Sequence, residues 1–100
     1  MKPGKNDLAV LQKISGLQLT ELQKYTGDMV EAFGLDERIY KYKGSRPISL
    51  YRWDLDCILD VIDLNLNDTR NYPDHLSEGY SALSELRRIL KYEYQKTFVI

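Results

Sequence analysis

The stretch Trp53–Asn67, WDLDCILDVIDLNLN, limits the possible folds more than any other part of the chain. At ~100° per residue, Leu55, Ile58, Leu59, Ile62 and Leu66 fall on one stripe of a helix. Trp53, Cys57, Val61 and Leu64 form a second stripe on roughly the opposite side. Only a narrow strip carrying Asp56, Asp60, Asp63 and Asn67 stays polar. A helix apolar on two sides is packed on two sides. The segment therefore reads as the central helix of the fold, and its one wet edge is acidic. Asp54 is placed to cap it, with Trp53 before and Ile58 after spaced as a hydrophobic staple.

Other elements follow from weaker signals. Asn6 or Asp7 can cap a short helix through Ile14, which Ser15-Gly16 breaks. Thr20 and Gln23 have capping-box spacing, with Leu19, Leu22, Tyr25 and Met29 following at helical intervals. Asp28 and Glu31 form a second such box, and Phe33-Gly34 ends that run. Tyr40 and Tyr42 alternate with Lys41 and Lys43, and a GSRP turn separates them from Ile48 and Leu50, which reads as a β-hairpin over 38–52. An odd loop length puts both tyrosines on the buried face and both lysines in water. A last helix should run from about Asp74 to Gln95 on Leu76, Tyr80, Leu83, Leu86 and Leu90, with Pro73 at its start. Gly79 is a weak point inside it. The tail TFVI reads equally well as a short strand or an apolar plug.

The expected architecture is thus mostly α (α+β): about four helices around the central helix with one small β-hairpin, in a single domain over 1–100. One hundred residues suffice for one core. The apolar fraction of 43% and net charge of −1 argue against disorder. The longest apolar runs span four residues, as in LAVL, far below the ~20 of a membrane helix. No signal-like apolar region follows MKPGKND, and the single cysteine suits a reducing compartment, so the expected location is cytoplasmic with no membrane contact.

No chemistry stands out. The chain carries no glycine-rich phosphate loop, no metal-ligand cluster and no Ser/His/Asp arrangement, so no enzyme, cofactor or metal is expected. Cys57 lies on an apolar stripe near aspartates, the setting of a core thiol rather than a nucleophile. His75, the sole histidine, has no nucleophile beside it and reads as a surface residue. Asp63, Asn65, Asn67, Asn71 and Asp74 match five ligand positions of a twelve-residue calcium loop, but Asp68 stands where the sharp turn needs glycine. The helical stripe also runs on to Leu66, so a polar turn between helices is the better reading.

The strongest functional lead is the sorting of charge. Residues 38–53 carry +5, between segments of −4 (28–37) and −5 (54–68). Either the basic segment folds against its acidic flanks, in exposed pairs worth little each, or the two signs face partners. The partner-binding candidates are Arg38, Tyr40, Lys41, Lys43, Arg46 and Arg52 on the basic side, and Asp56, Asp60 and Asp63 on the acidic side. The expected function is a small non-catalytic interaction or regulatory module that contacts a protein partner or a second copy of itself. The alternative is nucleic-acid binding, with the hairpin as a wing-like contact and a tyrosine stacked on a base. Against it stand the pI of about 5.8 and the acidic run DMVEAFGLDE, which would supply the recognition helix.

Overall fold

The computed structural model describes residues 8–29 and 34–98. The expected caps at Asn6 and Asp7, the roles given to Glu31 and Phe33, and the last two residues of the TFVI tail lie outside them. In chain order the described elements are β1 (Ala9–Gln12), α1 (Gly16–Gln23), a 3-10 turn (Thr26–Met29), α2 (Leu35–Lys41), β2 (Ile48–Tyr51), α3 (Arg52–Leu66) and α4 (Glu78–Phe98). The fold is mostly α with a small two-stranded antiparallel β element, as the sequence indicates.

The strands are not where local patterning puts them. The segment before Ile14 is β1 rather than a helix, and it pairs with β2 so that Val10 faces Leu50 and Gln12 faces Ile48. Val10 and Leu50 are both buried, so one β-branched residue meeting a distant leucine outweighs the local capping signal. The partner expected for Ile48 and Leu50, around Tyr40 and Tyr42, belongs instead to α2 and the loop after it. Leu35 and Ile39, one turn apart, both point into the core. Asp36 and Glu37 occupy the first turn of α2, and Arg38 and Lys41 the last, which suits the helix dipole. Two tyrosines at alternate positions are too short a pattern to set a period of two against that.

Contacts from α1 and from the backbone just after β1 finish this region. Gln23 Nε2 donates to the carbonyl of Ile39 (3.1 Å), which also accepts the Tyr42 amide, and to that of Tyr42 (3.0 Å), tying α1 to the end of α2. The Tyr42 hydroxyl accepts from the Ile14 amide (3.3 Å) and donates to the Arg46 carbonyl. Gly44 is buried at a φ of 77°, and a Cβ there would stand 2.9 Å from the Ile14 carbonyl oxygen. The turn can close this tightly only on glycine. Thr20 lies inside α1 rather than capping it, and its hydroxyl donates to the Gly16 carbonyl (3.2 Å).

The central helix packs against α4, β2 and the 3-10 turn. Leu55, Ile58 and Ile62 are fully buried, opposite the fully buried Leu83, Leu86 and Leu90 of α4. The second stripe is covered unevenly. Val61 is buried, Trp53 is half-buried and stacked on Tyr51 with ring centroids 5.0 Å apart, Cys57 is half-buried, and Leu64 is 65% exposed. Tyr51 stands at the N-cap, and its amide donates to Asp54 Oδ2 (3.0 Å), so Asp54 serves from the third helical position instead of capping directly.

Helix α4 begins at Glu78, four residues later than the sequence suggests. Asp74 Oδ1 accepts the Leu76 amide (2.9 Å) and Ser77 Oγ accepts the Tyr80 amide (3.3 Å). Asp74 thus closes a turn and Ser77 covers the helix start, leaving Leu76 92% exposed. Gly79 is not merely a weak point. A Cβ there would lie 2.7 Å from Glu21 Oε1, so the missing side chain makes room for a buried carboxylate.

That carboxylate anchors a polar network inside the fold. Tyr72 donates to Glu21 Oε1 (2.7 Å), Tyr25 donates to Tyr72 (2.7 Å), and Lys24 Nζ lies 2.6 Å from Glu21 Oε2. Burial, followed by the hydrogen bonds to Tyr25 and Glu21, pushes the Tyr72 phenol well above its ordinary pKa. A raised folded-state pKa contributes stability below the unfolded value of about 10, and that contribution fades as pH rises beyond it. Wild type should therefore exceed Tyr72→Phe in stability at pH 8, with the gap beginning to narrow once pH passes about 10. Urea melts across that range check it; a constant gap would count against the network.

Candidate interaction surface

The nine charged and aromatic candidates do not form one surface. The fold divides them into charges used inside the chain and charges left outside. Arg38 belongs to the first group. Its Nη1 donates to Asp54 Oδ2 (3.0 Å) and its Nη2 to the Ser49 carbonyl (2.6 Å), so one guanidinium ties α2 to β2 and to the start of α3. Asp54 is fully buried, and among the described residues its Oδ1 has no hydrogen-bond partner. Arg52 is also committed: its Nε donates to the Tyr94 hydroxyl (3.0 Å), and its guanidinium sits over the Tyr94 ring. That hydrogen bond, then the electrostatic influence of Tyr94 and, more weakly, of Asp56, raises the Arg52 pKa further. Asp63 pairs with Arg87 of α4.

The second group stays on the outside. Lys41, Lys43 and Arg46 are exposed, and only Lys41 has an ion pair among the described residues, a long one of 3.8 Å to Glu37. Tyr40 is 69% exposed on α2, whereas Tyr42 is half-buried. The expected burial of both tyrosines on one hairpin face is thus corrected, because a helix points neighbouring residues in different directions. Asp56 and Asp60 are exposed and have no ion pair among the described residues.

Lys41 and Arg46, but not Lys43, line a shallow depression. Its wall is Arg38, Lys41, Tyr42, Arg46, Pro47, Ile48 and Ser49, without a carboxylate. Pro47 and Ile48 add apolar surface to it. Sequence reading picked out the cations but not Pro47, Ile48 or Ser49, whose place here depends on β2 pairing with β1. The depression on the other side of Tyr40 has a different sign, with Asp36 and Glu37 in its wall.

Helical geometry separates the two signs. The depression lies on the Asp54 side of α3, because Arg38 reaches Asp54. From Asp54, Asp56 stands roughly 200° and Asp60 roughly 240° around the helix axis. A helix with its side chains is about 10–12 Å across, too wide for Lys41 or Arg46 to reach around to those carboxylates. Among the described residues, Lys41 and Arg46 form no ion pair with Asp56 or Asp60, although Lys41 meets Glu37 and the charge of Asp56 acts on Arg52 of its own chain.

The other candidates play structural parts. Cys57 is half-buried against the core rather than inside it. His75 is exposed and stacks on Tyr80, with centroids 4.3 Å apart and planes 11° from parallel. In the calcium-like segment, Asp63 and Asn65 are helical, as the stripe through Leu66 implies. Asn65 Nδ2 donates to the Val61 carbonyl (2.9 Å) and to Asp28 Oδ2 (3.3 Å), and Asn71 Nδ2 donates to Asn65 Oδ1 (2.9 Å). These amides join α3 to its neighbours. Among the described residues no three of His, Cys, Asp and Glu are grouped to hold a metal, and no helix is long and apolar enough to cross a membrane. No protein-family model, curated protein or solved structure matches the chain.

Proposed function

We propose that the chain is a non-catalytic interaction module that holds an acidic protein segment in the depression between α2 and β2. The observation that carries this reading is the wall itself: Arg38, Lys41 and Arg46 beside Pro47 and Ile48, with no carboxylate among them. Exposed cations next to apolar surface suit a partner that brings carboxylates and some apolar contact, and such contacts favour fast, salt-sensitive association. The module would work in the cytoplasm, a setting that a single cysteine suits, and could regulate the partner it holds.

Fluorescence anisotropy with a labelled glutamate-rich peptide tests this. Wild type should bind, and binding should weaken as salt rises and the Debye length falls from ~10 Å at 0.1 M to ~3 Å at 1 M. Lys41→Glu with Arg46→Glu should cost about tenfold or more in affinity, ~1.4 kcal/mol per decade. Absence of peptide binding at low salt would overturn the proposal. One observation favours a second reading: Tyr40 is exposed beside Lys41, as a base-stacking contact would require. Asp36 and Glu37 beside it oppose phosphate approach. Binding of a single-stranded oligonucleotide in place of the peptide would decide for nucleic acid.

A further inference from the structure

We infer that the acidic segment held in this depression belongs to a second copy of the chain, namely the outer face of α3 formed by Asp56, Asp60 and Leu64. The inference rests on the proposed basic docking site and names its occupant. Three features support it. The exposed charges of the two faces are opposite in sign and stand on different sides of α3, with no ion pair between them among the described residues, so contact between molecules can bring them together. Asp56, Asp60 and Leu64 follow at intervals of one helical turn, a row about 12 Å long at ~1.5 Å per residue, and Leu64 is 65% exposed. The depression offers matching chemistry, Lys41 and Arg46 for the two carboxylates and Pro47 with Ile48 for the leucine. Asp63 takes no part, since Arg87 of its own chain holds it.

Such a contact joins two different surfaces, so it is head-to-tail. It closes into a ring or grows into an open chain, according to the rotation between successive copies. Association should depend on protein concentration and fall steeply with salt, because the charges on both sides are exposed before contact. Each copy in the assembly would use both faces, leaving free one depression and one acidic face only at the ends of an open chain. A competing acidic segment would then cap growth from one end.

Sedimentation velocity on the full chain tests the inference. Wild type at low salt should gain mass with concentration and return to monomer near 1 M salt. Lys41→Glu/Arg46→Glu and Asp56→Lys/Asp60→Lys should each be monomeric alone, with association at least about tenfold weaker. Mixed in equal amounts they should associate again, because each supplies the charge that its partner now lacks. Melting curves establish that both variants fold. Should a reversal unfold the chain, Leu64→Ser, which touches no charge, should weaken association in its place. A wild type that stays monomeric at low salt yet captures the glutamate-rich peptide overturns the second-copy inference and leaves the docking site standing. Loss of both overturns both, and association that persists in either reversal variant also overturns the inference.

Discussion

Replacing Arg38 with methionine should cost about 3 kcal/mol, toward the lower end of the 3–5 kcal/mol range for removing one partner of a buried ion pair. Asp54 is fully buried and keeps only the Tyr51 amide once the guanidinium is gone. Its Oδ1 already lacks a partner among the described residues, which offer the carboxylate no second contact to fall back on. Arg38 is 37% exposed at its side chain, and solvent screening on that side trims the loss. The Ser49 carbonyl loses a donor as well, loosening β2 from α2. In a domain of this size, 1 kcal/mol is worth roughly 4–8 °C of melting temperature, so the midpoint should fall by well over ten degrees. Adding Asp54→Asn removes the stranded charge and should recover much of the loss. Thermal melts of the two single variants and the double variant measure that coupling directly.

The second large effect is expected at the centre of α3. Ile58→Ala should destabilise by about 2–5 kcal/mol, the sum of lost transfer energy and the cavity left behind. Ile58 is fully buried between Leu55 and Ile62 on the stripe that meets α4. The wall of Leu83, Leu86 and Leu90 is itself fully buried along one long helix, α4, so it has little freedom to collapse. Leu64→Ala on the same helix should change stability by less than ~0.5 kcal/mol, since the side chain is mostly in water. Urea titration of the two variants reads out the unequal burial of the stripes. Equal losses would mean that Leu64 is packed as tightly as Ile58.

Helix α3 was legible because its apolar spacing persists for about four turns, long enough to fix a helical period and an inward stripe. Helix α4 was legible for the same reason, from Leu83 through Leu90. Its start was not, because Asp74 and Ser77 both favour caps or turns, and local sequence does not choose between them. β1 and α2 were misread together. Val10 finds its partner Leu50 far along the chain, and no local pattern reports such pairing. Without that partner visible, Ile48 and Leu50 were matched to the nearest alternating residues, Tyr40 and Tyr42, which the fold assigns to α2 and its exit.

The candidate surface was legible in composition but not in commitment. Arg38 and Lys41 look alike as members of a basic segment. One is drawn inward because β2 delivers Asp54 and the Ser49 carbonyl to it, and the other faces water with a long contact to Glu37. Asp54 and Asp56 differ in the same way: two residues apart on α3, one is fully buried and the other exposed. Helical phase sorts these carboxylates, yet the buried stripe alone does not reveal that an arginine waits opposite Asp54. The charge pattern thus has two uses at once, an inner pair that joins elements and an outer set left for contacts.

A side-by-side thermal melt separates the inner pair from the outer set. Arg38→Met and Lys41→Glu/Arg46→Glu both remove positive charge from the same short segment. The first should lose well over ten degrees of melting temperature and the second should stay within a few degrees of wild type, as exposed pairs contribute little. Comparable losses in both would contradict this separation, because the outer charges would then be part of what holds the fold together.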